Sequence, residues 1–124
     1  MARVFKQAEA KSMGLTGRKS LEIASAERGT QNVTLRLVEI PVPNPGDKLR
    51  GRHRHEGFEE CIHVLSGDGC TETDSGQFPL KAGDTIVIPS GEMHVTRNTG
   101  GEPLVLLCFF PVGDVAARTR EPAA

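Results

Sequence analysis

An all-β fold, a jelly roll or small barrel of seven or eight short strands, is what this sequence predicts, and three observations predict it. Apolar and polar residues alternate over short runs, as where Val33, Leu35 and Leu37 interleave with Thr34, Arg36 and Val38. Fourteen glycines and eight prolines cut the chain into short pieces, with turn signals about every 8 to 12 residues, the spacing of sandwiches and barrels. No long helical period competes with this pattern. A chain of 124 residues suits one domain with a single core and is short for two. The expected division is one domain over 1–124, with its core at about 20–112, an N-terminal arm over 1–19 and a disordered tail over 113–124.

Taken in order, residues 3–12 form either a short amphipathic helix or loose chain. Strands are expected in "SLEIAS" and "NVTLRLVEIPV". "PVPNPGD" is a loop, because three prolines cannot serve a central strand. A strand in "LRGRHRH" is followed by one in "EECIHVLSG", which ends at the turn glycines Gly67 and Gly69. "DSGQ" is a hairpin-type turn, "KAGD" opens the strand "TIVIP", and "PSGE" turns the chain into "MHVTRN". "NTGGEP" is the last turn and "LVLLCFF" the last strand. That apolar run is seven residues long, Leu104 to Phe110, far below the ~20 needed to cross a membrane.

Composition removes several function classes. The formal net charge is -1 with acidic and basic residues interspersed, so no basic stripe points to nucleic acid. The charged N-terminus carries no apolar stretch of signal-peptide length. Cys61, Cys70 and Cys108 are odd in number and far apart, which indicates neither a disulfide framework nor a thiolate zinc site; free thiols in the cytoplasm are expected. There is no tyrosine, so no phenol can serve as acid or base.

The chemistry concentrates in "GRHRHEGFEECIHVLSG" and "GDTIVIPSGEMHVTRN". His53 and His55 share strand parity, with Arg52 and Arg54 opposite. Glu60 shares parity with Ile62 and Val64, an interior face, whereas Glu59, Cys61 and His63 point the other way. His94 follows a Pro-x-Gly turn. Three strands can therefore bring three imidazoles and one carboxylate together, a donor set for a divalent transition metal with open positions.

Both stretches resemble the two motifs of the cupins. The second, Gly, five residues, Pro-x-Gly, two residues, His, three residues, Asn, is matched by Gly83, Pro89, Gly91, His94 and Asn98. The first, Gly, five residues, His-x-His, three or four residues, Glu, six residues, Gly, is matched by His53, His55, Glu60 and Gly67. It departs only in its leading glycine, since six residues rather than five lie between Gly46 and His53. Spacing to Gly67 selects Glu60 over Glu59. The resemblance implies a double-stranded β-helix barrel binding one divalent ion (Fe, Mn, Zn or Ni) through His53, His55, Glu60 and His94. It also implies a homodimer that pairs N-terminal strands, in keeping with apolar residues on both faces of the 20–42 region. The function expected is a metal-dependent enzyme of oxygenase type acting on a small anionic organic substrate. The alternatives are a non-catalytic small-molecule-binding module and a metal-dependent isomerase or decarboxylase. Neither nucleic acid nor membrane is an expected partner.

Around the ligand set, Thr96 is expected to line the pocket and Asn98 to serve its turn. Arg36 is a candidate for holding an anion only if its face lines the barrel, and Arg97 is expected at the surface. Phe58, Phe78, Phe109 and Phe110 are expected in the core, and the cysteines as inert thiols.

Overall fold

The structure is a computed structural model and describes residues 1–122. Among them the chain forms eleven strands and three short 3-10 turns. The strands are β1 (Lys11–Met13), β2 (Lys19–Ala24), β3 (Thr34–Ile40), β4 (Arg54–His55), β5 (Glu60–Ser66), β6 (Asp68–Thr73), β7 (Gly76–Lys81), β8 (Thr85–Ile88), β9 (His94–Asn98), β10 (Leu104–Phe110) and β11 (Thr119–Arg120). A six-stranded sheet in the order β1-β2-β3-β10-β5-β8 faces a three-stranded sheet, β7-β6-β9, and β4 pairs with β11. The expected jelly roll is the fold observed. No helix among the described residues is long and apolar enough to cross a membrane.

Alternation decides what the large sheet buries. Val38, Leu106 and Val64 stand opposite one another across β3, β10 and β5, and all are buried. One step along, Arg36, Cys108, Ile62 and Ile86 form the next inward row. The smaller sheet is different in kind. Its inward residues are Thr71, Thr73, His94, Thr96 and Asn98, all buried, and the Thr71 and Thr96 hydroxyls bond each other at 2.8 Å. An apolar sheet thus faces a hydroxyl-lined one, and the polar groups stay satisfied by each other.

Two glycines hold the frame. Gly67 has φ of +89°, and a Cβ there would lie 2.6 Å from the Pro103 carbonyl oxygen, so both conformation and space require glycine. Gly91 has φ of +84° and donates its N–H to the His55 carbonyl at 2.7 Å. That bond ties the turn before His94 to the strand carrying His55.

Several expectations are corrected. Residues 3–12 hold neither a longer helix nor loose chain throughout: a 3-10 turn at Gln7–Glu9 leads into β1, which adds an edge to the sheet. The strand expected over "LRGRHRH" contracts to β4, because the Arg50 carbonyl is taken by the Arg97 guanidinium at 2.6 Å rather than by a neighbouring strand. Arg97 is accordingly half-buried, also bonding Glu72 at 3.3 Å. Phe78 and Phe109 are 42% and 40% exposed. Phe109 must face out because Cys108 and Phe110 on either side face in. Within 113–122, Asp114 accepts the Ala117 N–H before a 3-10 turn, and Thr119 on β11 lies opposite His55. Residues 123–124 of the tail lie outside the described residues.

Candidate metal centre

Backbone pairing assembles the site. His53 and His94 form an isolated antiparallel bridge, exchanging N–H···O bonds of 3.0 and 2.8 Å. His55 sits on β4, Glu60 opens β5 and His94 opens β9. The four residues bring one ligand atom each within 4.8 Å of one another. The imidazole centroids are 4.5 to 5.2 Å apart. His55, Glu60 and His94 are buried.

The hydrogen bonds determine where the ring protons are. His94 Nδ1 lies 2.9 Å from the Glu92 carbonyl, which only accepts, so Nδ1 carries the proton. The single Thr119 hydroxyl proton goes to the Val115 carbonyl at 2.8 Å, so Thr119 Oγ1 must accept from His55 Nδ1 at 2.9 Å. In their neutral forms both rings therefore carry bare Nε2 atoms. Both Nε2 atoms point at one oxygen, Glu60 Oε1, at 3.1 and 2.9 Å. Lone pairs aimed at a carboxylate oxygen repel unless a proton or a metal cation lies among them. This arrangement, with the outer nitrogens locked by Thr119 and Glu92, is how metal-binding imidazoles are oriented. His53 Nδ1 is buried without a hydrogen-bond partner among the described residues, and the residues present fit a divalent ion.

The electrostatics follow from the same contacts. Burial resists the ionisation of Glu60, but its contacts with His55 and His94, whose Nε2 atoms donate to it when protonated, outweigh it and hold the carboxyl below the usual carboxylate range. Burial works against charge on His94 too, yet its bond to Glu60 raises it above an ordinary imidazole. Burial, with His94 and Arg50 nearby, pushes His53 down to about 3, so this ring is neutral and ready to ligate.

The site opens into a cavity of about 470 Å³. Phe58 and Phe110 pack on His55 with centroids 5.5 and 5.2 Å away. Thr96 lines the cavity as expected, and Asn98 serves its turn, bonding the Glu102 carbonyl and the Gly100 N–H. Glu59 is exposed, and His63 faces away from the site, bonding Thr85 at 2.7 Å. Arg36 does line the cavity, but Glu22 neutralises it through two 2.9 Å contacts to one oxygen. Cys108 also lines the cavity, and burial pushes its thiol well up, so it is not a thiolate.

Sequence reasoning missed Thr119, Arg18, Ser20 and Arg50 as cavity residues. For Thr119 a signal existed: Asp114 three residues before Ala117 is a cap pattern, evidence of order in the tail. For the others, strand parity alone cannot say which face closes a cavity.

Thr119→Val should weaken metal affinity about 10- to 100-fold, measured by chelator competition, with the His55 tautomer shift visible by ¹⁵N NMR; Thr119→Ser should restore both. A pH scan should show opposite trends with and without metal. The His94–Glu60 contact raises the His94 pKa above the unfolded value of about 6.5. Its stabilisation of the metal-free fold is complete below that value and is lost as pH rises through the folded pKa. Metal needs the unprotonated ring, so metal affinity should rise over the same window. Melting temperatures measured across the neutral range with and without Zn(II) would test this; parallel curves would contradict it.

Comparison with known proteins agrees with the geometry. Residues 42–110 match the family model described as Cupin domain. The oxalate-binding protein of Thermotoga maritima is 40% identical over 96 residues, covering 76% of this chain and 78% of that protein. A crystal structure of a predicted oxalate decarboxylase from the same organism superposes with a TM-score of 0.72 at 25% identity, over 89% of this chain and 99% of that one. The oxalate decarboxylase of Lactobacillus farciminis gives 0.76 at 25% identity over 92% of this chain, which spans only 34% of that enzyme. The polyketide cyclase RemF of Streptomyces resistomycificus, at 21% identity and a TM-score of 0.74 over 100% of this chain and 87% of that one, shares the fold. With the family model matched over residues 42–110, a jelly-roll barrel and a three-histidine, one-glutamate cluster lining its cavity, the chain belongs to the cupin family.

Proposed function

We propose that the chain is a metal-dependent cupin whose cavity takes up a small carboxylate, oxalate being the first candidate. The observation that carries this reading is the convergence of two bare Nε2 atoms on the ionised oxygen of Glu60, beside the neutral ring of His53. His53, His55, Glu60 and His94 would hold one divalent ion, and three neutral imidazoles with one carboxylate suit Fe, Mn, Zn or Ni. Bound there, the ion would supply Lewis acidity toward a substrate oxygen and, if iron or manganese, one-electron chemistry. The chain's own residues supply the rest. Phe58 and Phe110 exclude water behind His55, and Arg18, which lines the cavity with no carboxylate partner among the described residues, attracts an anion. The relatives at 25% identity or above that are named for oxalate support the substrate class.

Two reactions are open to such a site. The oxygenase expected from the sequence would consume dioxygen. Decarboxylation would convert oxalate and one proton into carbon dioxide and formate, and the oxalate decarboxylase likenesses favour it. The test is to load the chain with Fe(II), Mn(II), Zn(II) or Ni(II), add oxalate, and follow oxygen, carbon dioxide and formate. We expect one equivalent of metal, lost in Glu60→Gln and kept in Glu59→Gln, and formate release without net oxygen uptake. Oxygen uptake coupled to turnover would establish the oxygenase instead. Oxalate bound but unchanged would make the chain a binding module, and no metal uptake would overturn the reading.

We also propose a homodimer and a cytoplasmic location. The outer face of the large sheet carries Leu21, Leu37 and Leu107 in one row, and Leu35, Phe109 and Val87 in the next. Val87 is 52% exposed, and a face this apolar suits burial against a second copy. The three free thiols suit a reducing compartment. Sedimentation should show a dimer at micromolar concentration, and Phe109→Glu should shift it to monomer with metal uptake unchanged.

A further inference from the structure

Arginines line the cavity at three positions, and they are not equivalent. Arg36 is neutralised by Glu22 at 2.9 Å, and Arg50 pairs with Glu121 at 3.3 Å. Arg18 has no carboxylate partner among the described residues; its side chain bonds only the Thr96 carbonyl, at 3.2 Å. Its Nε is buried and unpaired. Two residues further on, Ser20 lies on the same face and lines the same cavity. It is fully buried, and its hydroxyl has no hydrogen-bond partner among the described residues. The buried, unpaired side-chain atoms among the described residues are Arg18 Nε, Ser20 Oγ, Ser25 Oγ and His53 Nδ1. Three of these four residues line this one cavity. Unpaired buried donors are uncommon in folded proteins, and a cavity that collects them is shaped for a ligand that completes them.

We propose that Arg18 and Ser20 form an anion subsite that holds the second acidic group of a dicarboxylate whose first group lies at the four-residue cluster. This rests on the metal-dependent reading above and names the substrate more narrowly, as a small dianion. Position supports it. Arg18 is pinned to Thr96, two residues along β9 from His94, and two residues of strand span roughly 7 Å. That is the reach of a short diacid lying between the two sites. Charge supports it as well. A divalent ion with Glu60 retains one positive charge, and Arg18 adds another, so two negative charges balance the cavity. A monocarboxylate would leave Arg18 uncompensated. Burial, followed by repulsion from Arg50 and Arg97, brings Arg18 down to about 10, so it remains charged at neutral pH and gains from an anion beside it. Recognition by a guanidinium and a hydroxyl is selective for an oxyanion over an uncharged amide of the same shape.

The experiment is titration calorimetry of the Mn(II)-loaded chain with oxalate, malonate and oxamate, the last being a monoanion of nearly the size of oxalate. Metal content is read separately by elemental analysis. Wild type should bind the better of the two diacids at least ~10-fold more tightly than oxamate. Arg18→Gln should lose about 10- to 100-fold in diacid affinity, the scale of a lost hydrogen bond to a charged group. Its oxamate affinity and metal content should be unchanged. Arg18→Lys should recover part of the loss, and Ser20→Ala should lose less than Arg18→Gln; these two variants also carry the test if Arg18→Gln does not fold. Full metal content with equal diacid affinity in wild type and the Arg18 and Ser20 variants would overturn the subsite and leave the metal reading standing. No metal uptake, with diacid binding that still depends on Arg18, would keep the subsite and overturn the metal reading. A wild type that does not distinguish diacid from oxamate would overturn the subsite.

Discussion

Glu60 is a buried carboxylate, and its charge organises everything around it. An isolated ion at that depth would be neutralised by protonation. It stays ionised where the two Nε2 atoms that approach one of its oxygens at 3.1 and 2.9 Å carry a proton or share a cation with it. Those imidazoles are in turn fixed by Thr119 on β11, outside both motifs, and by the backbone carbonyl of Glu92, one of the unspecified positions within the second motif. The barrel framework serves this contact. The His53–His94 bridge and the Gly91–His55 bond are backbone links between the segments that carry the three histidines, so main-chain pairing sets where the histidines stand, and Thr119 and Glu92 then set the orientation of two of the rings.

The two sheets differ in what they turn inward. The large sheet brings Val38, Leu106 and Val64 inward and can be covered without hydrogen-bonding partners. The small sheet brings threonines, His94 and Asn98 inward, and these satisfy one another or turn backbone. Polar groups that do not find such partners collect at the cavity. Arg36 shows how a charge is taken out of play: Glu22 holds it, and it stacks over Phe110 at 5.3 Å, so it shapes the wall without adding net charge. The same pairing logic leaves Arg18, among the cavity arginines, without a carboxylate partner among the described residues.

Two segments that strand periodicity passes over prove to be structural. The N-terminal arm adds an edge strand and sends Met13, Leu15 and Arg18 to the cavity. The tail returns to pair with β4 and supplies Thr119. Short two- and three-residue strands carry no periodic signal, because alternation needs about four residues to be read. Their order comes from contacts with chain far away in sequence, as in the Arg50–Glu121 pair.

What the sequence determined by itself is the fold class, the inward parity of Glu60 with Ile62 and Val64, and the four residues that meet at the cluster, because alternation and glycine-proline turns are local properties and the motif spacing is set by strand length. It also placed Glu59 and His63 outside, by the same parity. Which face of β3 closes the cavity, that Phe109 faces out, and that Arg36 is neutralised while Arg18 is not were decided only in the tertiary structure. The reason is physical: a strand's two faces are equivalent until a second sheet covers one of them, and a charge is compensated or left bare by partners that lie remote in sequence, such as Glu22 and Glu121.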